Sequence, residues 1–217
     1  MMKKFVDWIL DYSSYFLAFP AVMALFRFKF ITRELRYILA LVALSICTET
    51  AMYLIVKSGI RNNLFVVHIY TILHFNIIAL FYYTHFGSFY HRYAVPSMMV
   101  FFTGFAVINS LFFQKLTEFN TKALSLECLL VVILCVMSYY KMITELTVKE
   151  PEKKPVFWIN TGFLFYFAGN IVLFTLSNVV LKENMDFNYL SWGLHALLTV
   201  ILQIFIGIGL WHSPHQK

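Results

Sequence analysis

The stretch Leu64 to Tyr83, LFVVHIYTILHFNIIALFYY, decides the fold: it runs without one Asp, Glu, Lys or Arg, yet carries two histidines and an asparagine. A helix needs about 20 mainly apolar residues to cross a hydrocarbon core of roughly 30 Å, and this stretch has that length. Six companions surround it, at Tyr12 to Phe28, Tyr37 to Val56, Ala94 to Phe113, Ala123 to Tyr140, Val156 to Asn178 and Leu190 to Trp211. Seven such stretches predict an all-α polytopic membrane protein, residues 1–217 forming a single seven-helix transmembrane domain.

Composition agrees. Sixty per cent of residues are apolar and only 13% charged, about half the charged share of a soluble domain. Mean hydropathy is +0.73. Lys3 and Lys4 precede the first stretch in the manner of a signal peptide. Asp7 and Asp11 interrupt that approach and no small-residue cleavage pattern follows, so a retained first helix is expected. Cys47, Cys128 and Cys135 all fall inside spans without metal-type spacing and read as packing residues.

The net charge of +6 sits almost entirely in connections. Its dispersal among short loops excludes a nucleic-acid stripe and suits anionic lipid headgroups, leaving the bilayer as the first partner. Counted by alternate loops, one side holds ten Lys and Arg, including Arg27, Lys29, Arg33, Arg36, Arg92, Lys141, Lys149, Lys153, Lys154 and Lys217. The other holds seven: Lys3, Lys4, Lys57, Arg61, Lys115, Lys122 and Lys182. Positive residues collect on the cytoplasmic side, so an integral protein of a bacterial inner membrane is expected, with its N-terminus outside and its C-terminus cytoplasmic. Trp8, Trp158, Trp192 and Trp211 near span ends read as interfacial anchors. The longest connection, Lys141 to Pro155, mixes prolines with both charges and reads as a solvated loop.

Polar residues inside the spans point to function, because a charge in hydrocarbon costs several kcal/mol or changes protonation state. Glu49 stands eight residues before Lys57, ~12 Å inside the span end, on one face with Ser45, Thr48 and Met52. Asn63, Tyr70, Thr71 and His74 share a face of the third stretch, with His74 ~16 Å from Asn63, while His68 and Asn76 point elsewhere. Glu127 lies ~7 Å past Lys122. Ser191, His195, Thr199 and Gln203 recur in steps of four, and Asn109 with Ser110, and Asn170, reach similar depths.

Agreement in depth between ascending and descending helices predicts one cavity, open to the outside. Its ligand-binding candidates are Glu49, Tyr70, His74, Asn109, Glu127, Asn170, His195 and Gln203. Each has a plainer alternative: Glu127 complementing the helix dipole, Glu49 a hydrogen-bonded structural carboxyl, the histidines and asparagines gluing helices together. Gly162 and Gly169, seven residues apart, are expected to let two helices approach closely.

Helices one to three and five to seven form similar triplets, each ending in a helix with His near its outer end, and setting His68 against His195 places Asn76 opposite Gln203. This 3+1+3 plan resembles the architecture of SWEET-type sugar facilitators, PnuC-type vitamin-precursor transporters and rhodopsins. No Pro-Gln pair occurs, and the seventh stretch has no Lys to form a retinal Schiff base. Thr48-Glu49, Asn62-Asn63, His68-Ile69-Tyr70-Thr71 and Phe157-Trp158-Ile159-Asn160 resemble a widespread bacterial family of uncharacterised seven-helix proteins, a resemblance that implies no activity.

Two function classes fit best. A small-molecule or proton-coupled transporter would use the carboxylates as proton carriers, with Pro20 as a hinge in the first helix. A receptor-like or accessory protein needs only the pocket and a membrane partner or a second copy of itself. An intramembrane zinc hydrolase is a weaker third, since ceramidase-like and adiponectin-receptor-like enzymes carry His-x3-His on the last helix and the last stretch here offers His195 alone. The identity of any cofactor is left open by the sequence, and an enzyme is the less favoured reading.

Overall fold

The computed structural model describes residues 2–60, 62–145, 150–183 and 185–213, with side chains described in those ranges except at residue 2 and at 176–187. Arg61, Lys149 and Lys217, counted above for orientation, lie outside the described residues, as does the side chain of Lys182. The described residues form an all-α bundle, with seven helical segments among them long and apolar enough to span a membrane. Helices suit this solvent because every backbone donor and acceptor is satisfied within the segment.

The first span is broken. Helix α1 (Met2–Tyr12) gives way to a 3-10 turn at Ser13–Leu17 before α2 (Ala18–Arg27). Pro20 accounts for the break, because its ring crowds the carbonyl four residues back, that of Phe16, and it has no N–H to donate there. The irregularity therefore falls in the two turns before the proline, from Ser13 to Leu17, and not at Pro20 itself.

The remaining spans are α3 (Arg33–Lys57), α4 (Leu64–Phe86), α5 (Ala94–Ile108) with a π turn at Asn109–Phe113, α6 (Thr121–Thr144), α7 (Pro155–Glu183) and α8 (Met185–Trp211). Most run a few residues past the apolar stretches, since helices continue into the headgroup layer where Arg33, Lys57 and Lys141 can reach water. One end of the bundle carries the turn near Asn63 and the loop from Gln114 to Asn120; the other carries Arg33, Tyr93 and Pro155.

Helices α6, α7 and α8 pack successively side by side, α4 joins α3, α5 and α6, and the first span lies against α8. Close approach of α7 and α8 depends on missing side chains. A Cβ at Gly162 would stand 2.7 Å from Cβ of Phe205, and one at Gly169 would stand 2.6 Å from Cδ1 of Leu198. Gly193 makes similar room on α8 for Val6 of the first span. Because lipid tails are as apolar as Leu, such packing, together with interhelical hydrogen bonds, holds a membrane bundle together.

Near the Arg33 end, Tyr82 donates to Asn160 Oδ1 at 2.7 Å, and Asn160 Nδ2 donates to the Cys135 carbonyl at 3.2 Å, tying α4, α6 and α7. Cys128 and Cys135 are buried packing residues; Cys47 is instead exposed on α3. The joint between α3 and the first span is looser than that between α3 and α4.

Candidate functional site

A cavity of about 260 Å³ opens inside the bundle between α3, α4, α7, α8 and the broken first span. Five of the eight residues singled out in the sequence line it: Glu49, Tyr70, His74, His195 and Gln203. Two more stand directly behind it and one lies apart.

Glu127 is behind His74. The His74 ring forms part of the wall, and its Nδ1–H donates to Glu127 Oε1 at 2.6 Å. This is the length of a charge-assisted bond. Glu127 is 2% exposed and has no second hydrogen-bond partner among the described residues, so the carboxylate relies on His74. On its other face His74 stacks on Tyr70 with ring centroids 4.8 Å apart, one helical turn away on α4. With Nδ1 engaged, Nε2 is the nitrogen left for a ligand or water.

Asn170 is behind His195. Its Nδ2 donates to the Tyr166 carbonyl at 2.8 Å, which fixes the amide so that Oδ1 faces His195 Nδ1 at 2.9 Å. An amide oxygen only accepts, so Nδ1 carries the hydrogen, and neutral His195 offers Nε2 as an acceptor.

Asn109 does not join this group. It is fully buried in the connection from α5 to α6, where its Nδ2 donates to Gln114 Oε1 at 2.8 Å and to Asn120 Oδ1 at 3.1 Å. Gln114 in turn donates to Thr121 at 2.7 Å. Its depth matched the others, but α5 lies on the far side of α4 from the cavity. His68 and Asn76, read as pointing elsewhere, bond to Ser110 and Thr103 respectively.

Several lining residues carried no mark in the sequence reading. Ser13 and Ser14 arrive through the 3-10 turn, and both line the cavity with Glu49. Two serines, seven and six residues before a proline, were the available signal. Tyr166 also lines the wall, and nothing distinguishes it from the many other aromatics; Trp192, read as an interfacial anchor, lines it too. Tyr70 and Ser45 bring their hydroxyls to 3.5 Å.

The polar groups occupy the middle of the cavity. Toward the Asn63 end the wall is apolar, with Phe119 edge-on to Trp192 at 5.4 Å and beside Phe174 at 6.1 Å. Toward the Arg33 end it is closed by Leu41, Val42, Leu202 and Ile206. Glu49 and Ser14, by contrast, are exposed although they line the cavity, which places them at its rim in the loose joint between α3 and the first span. The exposed rim therefore lies on the side of the bundle, between helices, whereas an opening toward the outside was expected.

Among the described residues, no three His, Cys, Asp or Glu side chains converge closely enough to hold a metal ion. His195 is tied to Asn170 and Glu127 is tied to His74, leaving Glu49 at the opposite wall. Comparison of the chain with known protein families, curated proteins and solved structures finds no match.

Proposed function

We propose that this membrane protein is a small-molecule transporter whose ligand binds in the central cavity and whose cycle is coupled to protons through His74 and Glu127. The observation that carries the reading is the buried His74–Glu127 pair, one member of which forms the cavity wall. A proton held between imidazole and carboxylate is sensitive to any charge placed nearby, since Coulomb interactions are strongest where water is excluded. A ligand reaching Nε2 of His74 changes the stability of the protonated pair, and by linkage the proton changes the ligand's affinity. The broken first span supplies an element that can rearrange, as discontinuous helices do in transporters.

The ten-to-seven excess of Lys and Arg supports an N-terminus outside and a C-terminus inside a bacterial inner membrane. In that orientation Glu49 and His74 lie closer to the outer face.

The test is proton movement. Protein reconstituted in liposomes with a trapped pH-sensitive dye is challenged with panels of amines, sugars and amino acids, and an active solute should shift internal pH. His74→Gln should abolish the shift while the protein still reconstitutes. A receptor-like protein acting through a membrane partner is the second reading, favoured by the floor of the cavity. Beneath Leu41 and Ile206 the bundle closes over fully buried Ile38, Tyr82 and Phe163. Saturable binding without any pH change would favour that reading.

A further inference from the structure

The rim and the wall chemistry together specify a class of ligand and a route. We infer that the cavity takes the polar head of a lipophilic amine from the bilayer, across the exposed rim at Ser14 and Glu49, with the hydrocarbon tail left among the lipids. The inference rests on the cavity being a binding site, as proposed above.

The route follows from depth. Glu49 lies eight residues inside the end of α3, ~12 Å by helical rise, and Ser14 is eleven residues from Lys3. A rim at that level meets acyl chains and not bulk water. Both residues are exposed, and α3 touches the first span less than it touches α4. The water-side approach near Asn63 is walled by Phe119, Trp192 and Phe174.

The chemistry of the head follows from which hydrogen-bonding atoms are unclaimed. Gln203 is 9% exposed and lines the cavity, and its Oε1 has no partner. His195 presents an acceptor at Nε2, because Nδ1 donates to Asn170. Glu49 adds a carboxylate at the rim. No Lys or Arg lines the cavity among the described residues. A site with a carboxylate at its rim and neither Lys nor Arg in its wall selects a cationic amine over a carboxylic acid or a phosphate. The rings of Tyr70, Tyr166 and Trp192 add faces that attract an ammonium group. The volume of about 260 Å³ is small for a whole amphiphile but sufficient for its head and first methylenes.

Radiolabelled dodecylamine is titrated against the full chain in lipid nanodiscs, with empty nanodiscs subtracted, and competed with dodecanoate, dodecanol and ethylamine. One saturable site per chain is expected, displaced neither by dodecanoate nor by dodecanol at equal concentration. Loss of a charge-assisted bond predicts at least tenfold weaker binding in Glu49→Gln, with Glu49→Asp close to wild type. Ser14→Trp, which alters an exposed position, should block binding from the other side of the rim even if Glu49→Gln fails to fold. No saturable component, equal competition by dodecanoate, or unchanged affinity in Ser14→Trp overturns the inference. Saturable binding of ethylamine without dodecylamine also overturns it, while leaving the cavity's role as a binding site intact.

Discussion

Removing both members of the His74–Glu127 pair should cost less stability than removing either one. The carboxylate is 2% exposed and its sole hydrogen bond among the described residues is the 2.6 Å contact with His74. His74→Phe keeps the ring against Tyr70 but strands the carboxylate. Breaking a buried pair by losing one partner costs ~3–5 kcal/mol in soluble proteins. Glu127→Leu strands the Nδ1–H instead, a loss of about 1–3 kcal/mol for an unsatisfied buried donor. The double variant leaves two apolar groups of similar volume facing each other, which is close to neutral. Ordinary interhelical hydrogen bonds in bilayers average about 0.6 kcal/mol and reach about 1.7 at most. A coupling of about 2 kcal/mol or more therefore separates a charge-assisted pair from common glue. Reversible unfolding of the four proteins by denaturing detergent in mixed micelles measures it. Losses that add to within ~0.5 kcal/mol would refute the reasoning and reduce the pair to two independent packing residues.

Glu49→Gln should leave the fold intact, because Glu49 is exposed at the rim and Ser14 is its neighbour there, while ligand-dependent pH shifts in liposomes disappear. Gly169→Val should lower the melting temperature sharply in detergent, since its Cβ would stand 2.6 Å from Leu198; Gly104→Ala, with nothing within 4 Å, should melt at or above wild type. Asn120→Leu should destabilise the α5–α6 connection by removing one of the two acceptors of Asn109 Nδ2, as read by thermal unfolding, yet leave dodecylamine affinity unchanged. A single cysteine at Ser58 should react with an impermeant maleimide added to intact cells, after Cys47 is replaced by Ala, and one at Lys153 should not; the reverse pattern would invert the topology.

The seven spans were legible in the sequence because crossing a bilayer is a local property: the length of an apolar run is compared with the thickness of the hydrocarbon, and no other part of the chain needs to be consulted. Depth was legible for the same reason, at 1.5 Å per residue along each helix. Gly162 and Gly169 announced a close contact, and the structure identifies α8 as the partner.

Neighbourhood was not legible. In water a helix declares its buried face by contrast with polar residues, but in lipid α4, α6 and α7 are apolar all round, and both faces look alike. Residues at one depth could therefore belong to one cavity or to several contacts. Only the packing of the helices pairs His74 with Glu127, sets Asn170 behind His195 and sends Asn109 to the α5–α6 connection. The break at Ser13–Leu17 is of the same kind. Pro20 marks the first span as interruptible, but where Ser14 then stands depends on how α8 and α3 receive the chain on either side of it. The sequence by itself determined a seven-helix membrane protein with polar groups at a common depth; the tertiary structure decided which of them meet, because helix rotation and adjacency in a bilayer are fixed by shape and hydrogen bonding between segments distant in the chain.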